Sequence, residues 1–138
     1  LLTWMAENDA PVFIVATSND ISELPPELVR KGRLDEVFFV DLPDSEIRKE
    51  IFRIHLEKRD IPAGDFELAA LADASEGFTG AEIEEAIVSA RYLASSRGEP
   101  VVQDDVMAAL NRTYPMSIMR AESISSLRTW AEGRTVKA

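Results

Sequence analysis

Residues 11–20 read Pro-Val-Phe-Ile-Val-Ala-Thr-Ser-Asn-Asp, and residues 24–43 read Leu-Pro-Pro-Glu-Leu-Val-Arg-Lys-Gly-Arg-Leu-Asp-Glu-Val-Phe-Phe-Val-Asp-Leu-Pro. The continuous apolar run at 12–16 predicts a strand covered on both faces, as in parallel α/β sheets. A second strand is predicted at 36–41. Between them, Pro25 and Pro26 can open a short helix that Gly32 would end. This stretch therefore predicts the end of a parallel α/β sheet.

Composition limits the kinds of partner. The 138 residues include 25 acidic and 15 basic side chains, for a formal net charge of −10. Phosphate binding depends on clustered Lys and Arg, so this charge disfavours nucleic acid and an anionic membrane surface. The chain has no cysteine and a single histidine, so we expect no metal cluster and a reducing, cytoplasmic setting. No apolar run approaches the ~20 residues that cross a bilayer.

From Asp44 onward the apolar residues repeat with helical spacing, which predicts four short helices. In the first, Ile47, Ile51 and Ile54 are expected to face a core, with Phe52 and Leu56 as further candidates for it. Arg48 is expected to lie in water. The other three are expected to begin near Asp65, at the capping box Thr79–Glu82, and near Gln103. The predicted organisation is an α/β sheet fragment at 1–43, an all-α four-helix subdomain at 44–113, and a helical tail at 114–138 with frayed last residues.

Asn19 follows the first predicted strand at the edge where open α/β sheets place ligand-contacting groups. A neutral amide there can hold an attacking water or a phosphate oxygen without adding negative charge. The alternative is that Asn19 only forms a turn, because its side chain bonds readily to its own backbone. The sequence by itself leaves both interpretations open.

Arg30 and Arg33 are three residues apart and would lie on nearly the same face of a helical turn. Two planar cations on one face can clamp a polyanion, and an arginine offered to a transferring phosphoryl group stabilises its transition state. The alternative is a solvated basic turn at a helix end. Asp35 and Glu36 would then neutralise these arginines as surface ion pairs.

His55 and the segment Gly77–Ala81 are further candidates. Gly80 and Ala81 lack bulk at a predicted helix N-terminus, where a base or ribose could approach the backbone. The alternatives are a partly buried helix histidine and an ordinary loop before a helix. The sequence contains no Gly-x-x-x-x-Gly-Lys-[Ser/Thr] phosphate loop and no apolar strand that runs into Asp-Glu.

Taken in order, five segments closely resemble the AAA+ ATPase family, in its AAA subgroup. They are Val-Ala-Thr-Ser-Asn-Asp at 15–20, Leu-Pro-Pro-Glu-Leu-Val-Arg-Lys-Gly-Arg-Leu-Asp at 24–35, Asp-Leu-Pro-Asp at 41–44, Ile-His-Leu at 54–56 and Gly-Phe-Thr-Gly-Ala-Glu-Ile at 77–83. The resemblance covers about residues 1–113. The tail after Thr113 has no clear counterpart.

The resemblance implies that Asn19 is the sensor-1 residue and that Arg30 and Arg33 are arginine fingers for a neighbouring subunit's ATP. It implies that His55, Gly80 and Ala81 lie near the adenine and ribose, on a helical lid. It further implies Mg-ATP as cofactor, a self-associating hexameric ring, and a protein client that the ring remodels.

The Walker A loop and Walker B carboxylates of the family are absent from this chain. We therefore expect it to be part of a longer protein and to be catalytically inactive alone. The alternative function is a non-catalytic helical interaction or oligomerisation module derived from an ATPase.

Overall fold

The computed structural model describes residues 11–18, 20 and 35–137. Asn19 and the predicted helix that carries Arg30 and Arg33 lie outside the described residues. The chain divides into two compact units. Residues 41–124 form the first, and the described residues up to Val40, together with those from Ser125 onward, form the second.

Helices make up nearly all the regular structure in the described part of the chain. They are α1 (Ser45–Glu57), a 3-10 turn (Ala63–Asp65), α2 (Leu68–Ala74), α3 (Gly80–Arg97), α4 (Gln103–Arg112), α5 (Met116–Met119) and α6 (Ala121–Ala131). The first four α-helices confirm the predicted four-helix subdomain. None of the described helices combines the length and apolar content that crossing a bilayer requires.

Helix α1 begins where the Asp44 carboxylate accepts a 2.9 Å hydrogen bond from the amide of Ile47. Its core face agrees with the prediction only in part. Phe52 and Leu56 are fully buried, whereas Ile47 and Ile54 are about half exposed. A helix turns one stripe of side chains toward a core, and in α1 this stripe is centred on Phe52 and Leu56, with Ile51 partly buried beside it.

Arg48 also departs from the prediction, because it is buried rather than solvated. Its guanidinium donates to the main-chain oxygen of Ala72 at 3.0 Å and to that of Pro43 at 2.8 Å. A buried cation needs such partners to offset its lost hydration. Arg48 therefore fastens the start of α1 to the end of α2.

Helix α3 is the central element of the bundle and packs against both α1 and α4. It begins at the predicted capping box of Thr79 and Glu82 and ends at Gly98, which adopts the left-handed conformation (φ 72°) that favours glycine. Its buried face carries Ile83, Ala86, Ile87 and Ala90. The core is completed by Phe52, Leu56, Leu71, Phe78, Val106 and Leu110.

The second unit contains a small parallel sheet in which β1 (Phe38–Phe39) pairs with β2 (Val136–Lys137), with Phe38 opposite Val136. The strand predicted at 36–41 is thus present in shortened form, and the tail expected to fray supplies its partner. The buried strand predicted at 12–16 is not present. Residues 11–18 are irregular, and Phe13 is 93% exposed. A strand needs a neighbour to pair its backbone, and no described segment pairs with this one.

The helix predicted from about 117 to 131 is divided at Arg120 into α5 and α6. The amide of Arg120 closes α5 by donating to the main-chain oxygen of Met116 at 2.8 Å. The predicted domain divisions at 43/44 and 113/114 stay predictions.

Candidate functional site

His55 lies in the last turn of α1 with its side chain mostly buried (19% exposed). Its Nδ1 atom is 3.3 Å from Glu84 Oε1 on α3 and 3.3 Å from Arg59 Nη1. The Glu84 carboxylate can only accept a hydrogen bond from Nδ1, and the Arg59 guanidinium can only donate one to it. The tautomer of the ring therefore determines which of the two contacts is a hydrogen bond. The ring is therefore held at the interface of α1 and α3.

Arg59 organises the surroundings of this ring. Its Nη2 donates to Glu84 Oε1 at 2.6 Å, and its Nη1 donates to the main-chain oxygen of His55 at 3.0 Å. The hydrogen bond from Arg59 is the main reason that the pKa of the Glu84 carboxyl lies below its ordinary value, against the opposing effect of desolvation. Glu84 is therefore held as a carboxylate beside the imidazole.

Gly80 occupies the first position of α3 and faces α1. A Cβ added to Gly80 would lie 3.6 Å from the Cδ1 atom of Ile51, an ordinary van der Waals distance. Ile51 is one turn before His55 on α1, and Gly80 is one turn before Glu84 on α3. The pairs Ile51–Gly80 and His55–Glu84 are thus successive contacts along one interface, which brings His55 close to the N-terminus of α3.

The first two amides of α3 have no hydrogen-bond acceptor in the part of the chain that the structure describes. No described residue accepts a hydrogen bond from the amide of Gly80 or Ala81, as expected for the first positions of a helix. Ala81 is exposed and Gly80 is half-buried. The site therefore combines an apolar side chain, an imidazole and two open N–H donors.

The Glu82 side chain accepts hydrogen bonds at the N-terminus of α3 from two segments of the chain. Its Oε2 accepts hydrogen bonds from the Thr79 amide at 2.8 Å and the Thr79 hydroxyl at 2.7 Å. Its Oε1 accepts a 2.7 Å hydrogen bond from the amide of Met116. Burial raises the pKa of Glu82, but the hydrogen bonds from Thr79 and Met116 outweigh it and leave this pKa below its ordinary value.

The structure brings together three of the six predicted site residues, His55, Gly80 and Ala81. The remaining three, Asn19, Arg30 and Arg33, lie outside the described residues. Sequence reasoning missed Ile51 as part of the site, as well as Arg59 and Glu84. The spacing of four from Ile51 to His55 and from Gly80 to Glu84 is the signal that could have identified two of them.

A surface groove with a volume of about 440 Å³ lies elsewhere, at the opposite end of α3. Its walls include Asp60, Asp65, Arg91 and Glu99. It contains none of the candidate residues. The candidate residues at the α1–α3 interface are therefore separate from this groove.

The model of a known family, described as the AAA+ lid domain, matches residues 65–109. These residues run from the 3-10 turn through α2 and α3 into α4. The match thus includes Gly80, Ala81 and Glu84, and it stops short of α1.

Similar proteins match over more of the chain. The uncharacterized AAA domain-containing protein ycf46 of Guillardia theta is 40% identical over 137 residues, 99% of this chain and 27% of that protein. The proteasome-activating nucleotidase of Saccharolobus solfataricus is 40% identical over 102 residues, 73% of this chain and 26% of that protein. The chloroplastic ATP-dependent zinc metalloprotease FTSH of Helianthus annuus is 33% identical over 109 residues, 78% of this chain and 42% of that protein. The chain therefore spans less than half the length of each of these relatives.

Proposed function

Because this chain carries the C-terminal lid region of an AAA+ ATPase, we propose that it supplies the lid, the sensor and the arginine fingers of an ATP-hydrolysing site in the whole protein. The proposal rests on two successive contacts along the interface of α1 and α3, Ile51 with Gly80 and His55 with Glu84. ATP is the proposed cofactor, with magnesium bound to it.

The residues at this interface fit the base and sugar of a nucleotide. Ile51 offers an apolar surface to the ring, and His55 offers a polar edge whose position Arg59 and Glu84 fix. The free amides of Gly80 and Ala81 can donate to the ribose, and the missing side chain at Gly80 leaves room for close approach. Binding at this surface would let α1 and α3 move with the nucleotide as a lid.

The phosphate end of the nucleotide requires other residues. Among the described residues, no three His, Asp or Glu side chains come together to hold a metal ion. We propose that the phosphate loop and the magnesium ligands belong to a different part of the whole protein. ATP bound there supplies the phosphoryl group, and this chain would respond to that group through Asn19, by orienting water near the terminal phosphate.

Arg30 and Arg33 are proposed to act on the ATP of a neighbouring subunit. Two relatives are a proteasome-activating nucleotidase and an ATP-dependent zinc metalloprotease, and these names support the proposal of nucleotide-driven work on protein substrates. Fingers that act in trans require self-association, and a hexameric ring is the proposed assembly. A protein client is proposed as the substrate of the whole machine.

Complementation between two inactive subunits tests this function. One subunit carries Arg30→Ala or Arg33→Ala, and the other carries a substitution in the proposed phosphate loop. Each alone is expected to lose ATP turnover, by roughly 10³-fold or more for an arginine finger. Mixing them is expected to restore turnover, because the loop variant still offers its arginines to its neighbour's intact site.

Arg91→Ala, at an exposed position on α3, serves as the control and should keep full turnover. If mixing restores no turnover, the arginines do not act in trans. If the whole protein binds no ATP, the alternative function applies, a non-catalytic helical interaction module derived from an ATPase.

A further inference from the structure

The chain that follows the four-helix bundle returns to the N-terminus of α3 and docks there. After α4, Pro115 is buried, and Met116 opens α5 with its amide pointing at Glu82. This contact joins residues 34 positions apart with a 2.7 Å hydrogen bond. The carboxylate therefore serves two segments at once, its own helix end and the segment 115–117.

A second contact reinforces the docking. A Cβ added to Gly77 would lie only 2.6 Å from the Oγ atom of Ser117, so the serine hydroxyl would have to move to accommodate it. Gly77 also has a φ of 78°, which disfavours any other residue. The segment 115–117 thus contacts the chain at two places, at Gly77 before the capping box and at Glu82 within it.

Only a carboxylate satisfies the donors that meet at Glu82. The Thr79 amide and hydroxyl use one oxygen, and the Met116 amide uses the other. The side-chain amide of a glutamine has a single acceptor oxygen. Its NH₂ group would therefore face either the Thr79 donors or the Met116 amide and could not accept a hydrogen bond from them. The acidic side chain is therefore required for both contacts to exist together.

We propose that Glu82 is a positioning residue that couples the docked segment 115–117 to the N-terminal turn of α3, so that undocking this segment loosens the surface formed by Gly80 and Ala81. The consequence for nucleotide rests on the proposed function. Because coupling is reciprocal, nucleotide held at Gly80 and Ala81 would in turn favour the docked segment.

The variant Met116→Pro removes the backbone donor that joins the segment 115–117 to Glu82. Proline is tolerated at the first position of a helix, where Met116 lies, and Pro115 already has the extended conformation (φ −65°, ψ 139°) that suits a residue before proline. Met116→Ala is the matched control, since it loses the side chain and keeps the amide. Glu82→Gln is an independent variant that keeps the backbone of α5 unchanged.

Amide hydrogen exchange in the 138-residue chain tests the coupling without nucleotide. Met116→Pro is expected to accelerate exchange of the Thr79 amide roughly tenfold, the effect of weakening about one hydrogen bond. Exchange of buried amides in α4 should stay unchanged, and Met116→Ala should behave as the wild type. Unchanged exchange at Thr79 in both Met116→Pro and Glu82→Gln would overturn the proposal.

ADP affinity of the whole protein tests the consequence. Met116→Pro is expected to raise the Kd for ADP several-fold while Met116→Ala leaves it unchanged. If Gly80→Ala weakens ADP binding and Met116→Pro does not, this inference fails and the proposed function stands. If neither variant affects ADP binding, the proposed nucleotide site itself is refuted.

Discussion

Arg59 and Glu84 join the end of α1 to α3 through a 2.6 Å hydrogen bond between guanidinium and carboxylate. The same guanidinium donates to the main-chain oxygen of His55. One planar side chain thus fixes the backbone of the histidine and the carboxylate beside its ring. The fork geometry of arginine allows both bonds at once, and a lysine cannot reproduce it.

Replacing Arg59 is expected to raise the pKa of Glu84. In Arg59→Lys the directed hydrogen bond that chiefly lowers this pKa is lost, although a positive charge remains nearby. A carboxyl-carbon NMR titration of the 138-residue chain measures the change. Arg53→Lys, which alters an ion pair with Glu50 and Glu57 on the exposed side of α1, is the control and should leave the pKa of Glu84 unchanged. An unaltered pKa in Arg59→Lys would show that the bond is not formed in solution.

The core of the bundle is expected to depend on Phe52 and not on Ile47. Phe52→Ala removes a fully buried ring and should lower the free energy of unfolding by about 3–5 kcal/mol. Ile47→Ala, at a position that is 52% exposed, should cost less than about 1 kcal/mol. Urea unfolding of the two variants decides between the observed helix face and the face predicted from the isoleucines. Equal losses would contradict the structure.

Much of the four-helix bundle could be predicted from the sequence, because the residues that begin and end its helices act through local contacts. Asp44 caps α1, the Thr79–Glu82 box begins α3, and Gly98 ends it, each through contacts within four residues. The core face of α1 could not be predicted fully from such local contacts. Isoleucines at 47, 51 and 54 have helical spacing, and so do Phe52 and Leu56. Only packing against the neighbouring helices decides that the second set is fully buried and that Ile47 and Ile54 stay about half exposed.

Contacts between distant segments explain the other differences. Arg48 is buried because carbonyl groups of Pro43 and Ala72 converge on it, which no pattern within α1 reveals. The distant partner of Glu82 is the Met116 amide, a backbone group that no sequence pattern could identify. His55 was predicted as a site residue through the family resemblance, and Gly80 and Ala81 also through their lack of bulk at a helix start. Their closeness follows from the packing of α1 on α3.

Stability should decrease in acid partly through Glu82. The pKa of this carboxyl is lowered in the folded state, so its stabilising contribution is fully present above its ordinary pKa and is lost as the pH falls through the lowered value. The free energy of unfolding of the wild type minus that of Glu82→Gln should therefore be positive near neutral pH. It should shrink toward acid pH. A difference that is constant from pH 7 to pH 3 would contradict the assigned pKa shift.

The affinity of the whole protein for ADP, measured in paired variants, tests the nucleotide surface most directly. Gly80→Ala and Gly64→Ala each add one methyl group at a glycine whose φ is not positive. The fold should tolerate both, because the new methyl meets only Ile51 at an ordinary distance in the first and nothing within 4 Å in the second. We expect Gly80→Ala to raise the Kd for ADP about tenfold, equivalent to about 1.4 kcal/mol, and Gly64→Ala to leave it unchanged. An unaltered Kd in a folded Gly80→Ala protein would contradict the central claim that the α1–α3 interface holds the nucleotide.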